Sequence, residues 1–300
     1  MNLNKKAKIL KINKVKTNII MDKKIENYQK KWDSIIRSFD GSFRSNEDVD
    51  EFFSTKFYKH SKPNEKLNDK ALPEPYLGDP YVNSIVCLNL NPGQFLENFQ
   101  DPKNGIFVTK GNAIDSYSKF AKDFPYLTEK YKIKNDNEQN GGHKWWEKRN
   151  EYFKRLFNYE GNNLPFAIEV CPWRSSKFGS LKYTREFLKY VEDNVFDLAS
   201  EVSLNSDIKL VFSVGAPYRI LFEKLPSRFV RIIEITEKNA KNHGFSYPVK
   251  ENGSLVNRRI SIWQDKKYNV TYVNTSAQGG NKNPAKYFDK IILKLIKENQ

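Results

Sequence analysis

The chain has 300 residues, of which 38% are hydrophobic and 14% aromatic, so it can bury a sizeable core despite a mean hydropathy of −0.73. It contains no run of about 18 apolar residues and no apolar secretion signal near its start, so we expect neither a membrane span nor secretion. Two cysteines are too few for a cysteine-bound metal site or a disulfide framework. We expect a monomeric, cytoplasmic protein that needs no metal or other cofactor.

The chain is strongly basic, with a net charge of +15. Residues 1–24 hold eight Lys and one Asp, a net +7, which leaves +8 for the other 276 residues. A basic surface suits a polyanionic partner such as DNA, because binding releases counterions. An AT-rich genome would also enrich Lys and Asn, so the charge alone does not establish that partner.

The N-terminal quarter of the chain is predicted to be helical after a basic arm. Residues 1–24 are rich in Lys and have little periodicity, which indicates a flexible arm. Apolar side chains then recur at helical spacing over residues 25–39, and Phe52 and Phe53 mark a shorter helix. We therefore predict an N-terminal helical extension over residues 25–75.

Four short apolar runs predict buried strands that alternate with helical patterns, which is typical of a parallel sheet. These runs are residues 84–90, 164–170, 208–214 and 269–273. Residues 229–235 and 259–263 predict antiparallel strands at an edge. We predict an α/β domain over residues 76–300, with an insert at about 96–143. Its expected architecture is three-layer α/β/α around a central, mostly parallel four-stranded sheet with edge additions.

Polar turns follow the four predicted strands and are expected to meet at one edge of the sheet, where open α/β sheets bind ligands. In the turn after the first strand, Pro92 removes a backbone donor and Gly93 permits a positive φ. Such a turn also occurs at ordinary strand exits. The turn alone therefore indicates a candidate site without defining its chemistry.

Several common enzyme classes lack support in the sequence. His60, His143 and His243 are scattered, which argues against a metal hydrolase and against a Ser or Cys triad. The glycine motifs of nucleotide-cofactor sites are also missing from the sequence. Strand-end turns rich in Asn, Ser and Glu suit a reaction that depends on positioning and hydrogen bonds more than on a strong nucleophile.

Two of these turns resemble the motifs of the uracil-DNA glycosylase superfamily, in the branch close to mismatch-specific and thymine DNA glycosylases. That branch carries a G-x-N-P-G first motif and an N-P-S-type second motif. Residues 89–93, Asn-Leu-Asn-Pro-Gly, match the first motif except that Asn89 replaces the leading Gly. Residues 274–276, Asn-Thr-Ser, match the second except that Thr275 replaces Pro. The resemblance covers roughly residues 76–296.

The resemblance implies hydrolysis of the N-glycosidic bond of a base flipped out of DNA. By matching positions, Asn91 would hold the attacking water and Asn274 would contact the base or sugar from the other side. Many relatives have His at the second position, which leaves open how the departing base is stabilised here. Asn89 and Phe95 would contact the base, the latter by stacking, although a Phe in a core below the turn has the same sequence pattern.

Glu169 stands near the position where the uracil-specific branch has a strand-end Asn. An ionised carboxylate accepts hydrogen bonds but cannot donate them, so it would suit the exocyclic amine of a cytosine-type base and repel O4 of uracil. A modified cytosine is therefore the predicted substrate, and bacterial defence against phage DNA is one version of this prediction. A structural ion pair of Glu169 with Arg174 or another basic group is the alternative.

Two loops after strands are expected to contact DNA phosphates, which position a protein without reading sequence. Their residues are Arg174, Ser175, Ser176 and Lys177 in one loop, and Ser276, Ala277, Gln278, Gly279 and Lys282 in the other. Gln278 would fill the space that the flipped base leaves. Three other functions stay open: a uracil or mismatch repair glycosylase, an inactive nucleic-acid-binding module of the same fold, and a nucleoside hydrolase.

Overall fold

The computed structural model describes residues 23–38, 50–54, 56–93, 116–128, 141–276 and 283–299. Several predictions lie outside these residues: the basic arm up to residue 22, Phe95, most of the insert, and four positions of the second DNA-contacting loop. Those four positions are Ala277, Gln278, Gly279 and Lys282.

The strands of the described residues have the following bounds. They are β1 Tyr58–Lys59, β2 Tyr76–Leu77, β3 Val86–Asn89, β4 Phe166–Glu169, β5 Ser180–Leu181, β6 Leu210–Val214, β7 Phe229–Ile235, β8 Ile260–Asp265 and β9 Val270–Thr275. β1 pairs with β5, and the other strands form a seven-stranded sheet in the order β2-β4-β3-β6-β9-β8-β7.

The seven-stranded sheet is mixed. Its neighbours β4, β3, β6 and β9 are the four strands predicted from the apolar runs, and they pair in parallel. β2 at one edge and β8 and β7 at the other are antiparallel to their neighbours. The mixed α/β class is confirmed, and β8 and β7 are the antiparallel edge strands that the sequence predicts. β2 at the opposite edge was not predicted and makes the sheet seven-stranded.

The helices alternate with these strands along much of the chain. They are α1 at residues 23–37, α2 Asp50–Phe53, α3 Tyr117–Lys122, α4 Gly141–Phe157, α5 Arg185–Val191, α6 Asp197–Ser203, α7 Ala216–Lys224 and α8 Asp289–Asn299. A π-helical turn, Glu192–Phe196, joins α5 to α6. Among these residues no helix has both the length and the apolar character that a membrane span needs.

Local sequence explains where α5 and α7 begin. The Thr184 side chain accepts a hydrogen bond from the amide of Phe187 and so caps α5. β6 ends at Val214, the next residue Gly215 has a φ of +119° that strongly favours glycine, and Pro217 follows in the first turn of α7. The chain thus leaves the carboxyl end of β6 sharply and enters a helix at once.

Side chains that follow each other along a strand point to opposite faces of the sheet and so pack against different helices. Phe212 of β6 contacts Phe153 of α4, with ring centroids 5.4 Å apart. Tyr272 of β9 is in register with the preceding residue of β6, so it lies on the opposite face, where its ring is 5.5 Å from Phe222 of α7.

The N-terminal extension shares the core of the α/β region. Tyr28 of α1 packs on Tyr76 of β2 with centroids 5.7 Å apart, and Trp32 packs on Trp173 at 6.3 Å. Trp173 lies just after β4 and is fully buried. Helix α1 therefore packs against the segment that follows β4 through the contact between Trp32 and Trp173.

Candidate active site

The carboxyl ends of β3 and β4 bring the first two predicted positions together. Asn89 and Glu169 are register partners on these neighbouring strands. The Nδ2 atom of Asn89 donates a 3.1 Å hydrogen bond to Oε1 of Glu169. Both side chains are only 5% exposed, and Oε2 of Glu169 has no hydrogen-bond partner within the described residues.

Burial acts on the protonation of Glu169. Removal from water raises the pKa of its carboxyl well above the ordinary range, while the hydrogen bond from Asn89 and the charges of Arg174 and Arg149 oppose the rise. Burial thus favours the neutral form, which carries an O–H donor and does not repel a carbonyl oxygen. The ionised form that the sequence-based interpretation assumed stays a prediction.

The turn that carries Asn91 is clamped to the segment after β4. Backbone amides of this segment donate to Asn89, Leu90 and Gly93, with Cys171 N to Leu90 O at 2.9 Å and Ser175 N to Gly93 O at 3.1 Å. The Nδ2 atom of Asn91 donates to Ser175 Oγ at 3.0 Å, and the side chain stays partly exposed. The φ of Gly93 is +83°, the positive value that the sequence predicts.

Arg174 supports this turn from the interior. Its Nη1 atom donates to the carbonyl oxygen of Pro92 at 3.2 Å, and its Nη2 atom is ion-paired with Glu74 and contacts Tyr126 Oη at 2.6 Å. The side chain is 1% exposed. The expectation that Arg174 contacts phosphates from the surface does not fit this placement, and its carboxylate partner is Glu74 rather than Glu169.

The other residues of that predicted loop divide into two groups. Ser175 is buried against the Asn91 turn and therefore also differs from the expectation of a phosphate contact. Ser176 and Lys177 are exposed. Only these two side chains remain at the surface as predicted.

Asn274 also lies at the carboxyl end of its strand, β9, which is two strands away from β3 in the sheet. Its side chain, however, is on the opposite face of the sheet from that of Glu169. It is in register with Ser213 and Leu88, whereas Glu169 is in register with Asn89. Its Nδ2 atom donates to Ser213 Oγ at 3.0 Å and to Gly215 O at 3.1 Å. Both amide hydrogens are thus used in holding the turn between β6 and α7.

Ser276 fastens the end of β9 to the segment before β8. Its amide donates to Arg259 O at 2.9 Å, and its Oγ accepts from Arg259 N at 2.8 Å. Any contact of Ser276 with DNA would add to this structural role.

Sequence reasoning missed Arg149, a buried guanidinium on α4. It is 2% exposed, lies over the ring of Trp145 at 4.8 Å, and its charge acts on the pKa of Glu169. Arg149 falls three residues after Trp146 and four before Phe153, on the buried stripe of the helix. A charged residue within an apolar helical stripe is the signal that would have identified it.

The described residues include no group of three His, Cys, Asp or Glu side chains that could hold a metal ion. Cys87 and Cys171 are free and buried, and burial raises the pKa of Cys87 to about 12, so it stays a thiol. The polar site consists instead of amide, carboxyl and hydroxyl groups. It can orient water and exchange hydrogen bonds or a proton with a ligand.

Comparisons with models of protein families, with curated proteins and with solved structures found no match to this chain.

Proposed function

We propose that this chain is a monofunctional DNA glycosylase, which hydrolyses the N-glycosidic bond of a flipped-out base and leaves an abasic site. The observation that carries the proposal is the arrangement at the ends of β3 and β4. There a clamped turn presents the partly exposed Asn91 next to the buried Asn89–Glu169 pair. We also propose the three-layer α/β/α architecture, which the different helix contacts of Phe212 and Tyr272 support.

Asn91 is proposed to position the attacking water. Its Nδ2 atom is held by Ser175, so the Oδ1 atom remains to accept a hydrogen from water. An amide is too weak a base to deprotonate water. The glycosidic bond, however, breaks with oxocarbenium character, so a correctly placed neutral water is a sufficient nucleophile and positioning supplies the rate gain.

Glu169 is proposed to act as a general acid towards the departing base. Because Oε1 accepts from Asn89, the proton of the neutral carboxyl lies on Oε2. As the C1′–N1 bond breaks, its electron pair goes to the base, and the Oε2 proton goes to N3 of a cytosine-type base. The base leaves neutral, the charge of Arg149 stabilises the carboxylate, and a proton from the attacking water restores the acid.

This chemistry also favours a cytosine derivative. The reason is now proton transfer to the base, whereas an ionised carboxylate would favour cytosine by accepting a hydrogen bond from its exocyclic amine. N3 of cytosine is a basic nitrogen, whereas N3 of uracil carries a hydrogen and cannot take the proton. Since Oε2 is buried in the unbound protein, the residues around it have to move before a base can reach it. Excision of modified cytosines from phage DNA, as a bacterial defence, is the biological role that we propose.

A nucleic-acid-binding module without activity is the second candidate. The observation that favours it is that Asn274 donates both of its amide hydrogens to other parts of the protein, namely Ser213 Oγ and Gly215 O. In that case the polar groups at this edge of the sheet would be structural. Uracil repair is the third, because a neutral Glu169 tolerates O4 of uracil.

The test incubates the purified protein with duplexes that contain uracil, mismatched thymine, or cytosines modified at position 5, and measures abasic sites by alkaline cleavage. We expect cleavage of a modified-cytosine duplex, with little on uracil. Cleavage of the uracil duplex alone would support repair. Binding of DNA without abasic sites on any duplex would support the inactive module.

A further inference from the structure

Two lysine-rich segments run side by side next to the candidate active site. β1 and β5 pair with Lys59 opposite Ser180. The pairing continues beyond the strands, since Lys182 N donates to Phe57 O at 2.8 Å and Lys177 N donates to Asn64 O at 2.9 Å. Residues 57–68 and 174–182 therefore lie antiparallel to each other, although they are far apart in the chain.

This arrangement gathers six lysines, which we call the lysine surface. They are Lys56, Lys59, Lys62, Lys66, Lys177 and Lys182. Five are exposed and Lys182 is half-buried. The one ion pair that they form among the described residues joins Lys177 to Glu65 at 3.9 Å, with the lysine side chain 59% exposed. The lysine surface thus retains most of its positive charge.

The lysine surface is continuous with the candidate active site. The segment that carries Lys177 and Lys182 begins at Ser175, which binds both Asn91 and the carbonyl of Gly93. The segment from Ser175 to Leu181 bends at residues 176 and 177, so it spans less than the roughly 20 Å of a fully extended chain. Double-stranded DNA carries one phosphate charge per about 1.7 Å of its length, so even a shorter stretch of duplex beside the lysine surface presents several phosphates. The lysine surface therefore lies where it can contact a duplex backbone next to the site.

A groove of about 570 Å³ lies at the far end of the lysine surface. Lys56 and Lys182 line it together with Phe57, Ser54, Thr184 and Glu186. Two ammonium groups and two hydroxyls in an open groove suit a phosphate and its sugar. Glu186 is the acidic group among them.

We propose that the lysine surface binds the phosphate backbone of double-stranded DNA on one side of the base-excision site. The proposal rests on the proposed function for the identity of the polyanion. Contacts of this kind carry no sequence information and depend on counterion release, so they set the affinity and its dependence on salt. They leave the chemical step to the residues at the ends of β3 and β4.

The test compares two triple variants. K59Q/K62Q/K66Q removes three charges of the lysine surface, whereas the control K290Q/K294Q/K297Q removes three exposed lysines of α8, which packs against β8 at the other end of the sheet. Fluorescence anisotropy with an unmodified 20-base-pair duplex gives Kd at several salt concentrations. We expect the first triple to raise Kd at least about tenfold and to lower the salt slope by up to about 3, since each phosphate contact contributes about 0.9.

The outcomes separate this proposal from the proposed function. Equal Kd and equal slopes for wild type and K59Q/K62Q/K66Q would overturn the lysine surface, even if base excision is found. The same weakening in the α8 control would also overturn it, because net charge alone would then explain the effect. If no duplex is cleaved but only the first triple weakens binding, the lysine surface stands and the glycosylase proposal falls.

Discussion

Asn89 and Glu169, which end two neighbouring parallel strands, are joined by a hydrogen bond of 3.1 Å from Nδ2 to Oε1. This bond occupies one carboxyl oxygen and leaves the other, Oε2, enclosed and without a hydrogen-bond partner within the described residues. Burial raises the pKa of the carboxyl and so favours its neutral form, which in the proposed reaction holds the transferable proton on Oε2.

The first prediction concerns Glu169→Gln. The amide oxygen can still accept from Asn89, but the variant has no acidic proton to transfer. We expect single-turnover excision of a modified cytosine to fall by about 10²–10⁴-fold, the usual contribution of a general acid, with Kd for the duplex nearly unchanged. Glu151→Gln, at an exposed position of α4, is the matched control. A rate equal to that of wild type would make Glu169 a scaffold residue.

The same carboxyl makes stability depend on pH. Because the pKa of Glu169 is raised in the folded state, the folded protein holds a proton that the unfolded chain releases above a pH of about 4.3. This contribution to stability is complete below that pH and is lost as the pH rises towards the raised pKa, by at most about 1.4 kcal/mol per pH unit. The difference in free energy of unfolding between wild type and Glu169→Gln, from urea denaturation, should show this slope. A difference that is constant between pH 4 and 8 would contradict a raised pKa.

Another buried carboxyl, that of Glu74, is predicted to stabilise the fold. Glu74→Gln removes the carboxylate that neutralises the buried guanidinium of Arg174. We expect the free energy of unfolding to fall by about 3–5 kcal/mol, as when one partner of a buried ion pair is lost. Glu223→Gln breaks the surface pair with Arg219 at 3.0 Å and should cost no more than about 1 kcal/mol. Similar losses for the two variants would show that the Glu74–Arg174 pair is not a stability determinant.

Asn274→Ala distinguishes a structural role from a catalytic one. The change removes the two hydrogen bonds to Ser213 and Gly215 and leaves buried acceptors unsatisfied. We expect a loss of about 1–3 kcal/mol in the free energy of unfolding. Normal stability together with lost excision would assign Asn274 to catalysis, as the resemblance to the glycosylase superfamily implies.

Apolar patterns predicted the parallel strands well because a strand buried on both faces is a continuous apolar run. β2 was missed because Tyr76 and Leu77 form a strand of only two residues, too short for any periodicity. Arg174 was placed on the surface because its partner Glu74 is 100 residues away in the chain, and sequence spacing gives no sign of such a pair.

The candidate site was predicted in part. The turn after β3 is specified locally by Pro92 and Gly93, so its position and the positive φ followed from the residues themselves. The raised pKa of the Glu169 carboxyl did not follow from the sequence, because it depends on burial by parts of the chain that are distant in sequence. The same limit applies to Asn274, whose face of the sheet is set by its register with Ser213.

The most direct test of the central claim is the yield of abasic sites from a modified-cytosine duplex with wild type and with Asn91→Ala. Asn91 positions water in the proposed reaction and makes little contact with phosphates, so we expect Asn91→Ala to lower the single-turnover rate by 10²-fold or more. Its Kd for the duplex should stay within about twofold of wild type, and Asn242→Ala, at an exposed position of the short 3₁₀ helix Ala240–His243, should match wild type in both. An unchanged rate for Asn91→Ala, or a parallel loss of DNA binding and activity, would contradict the account.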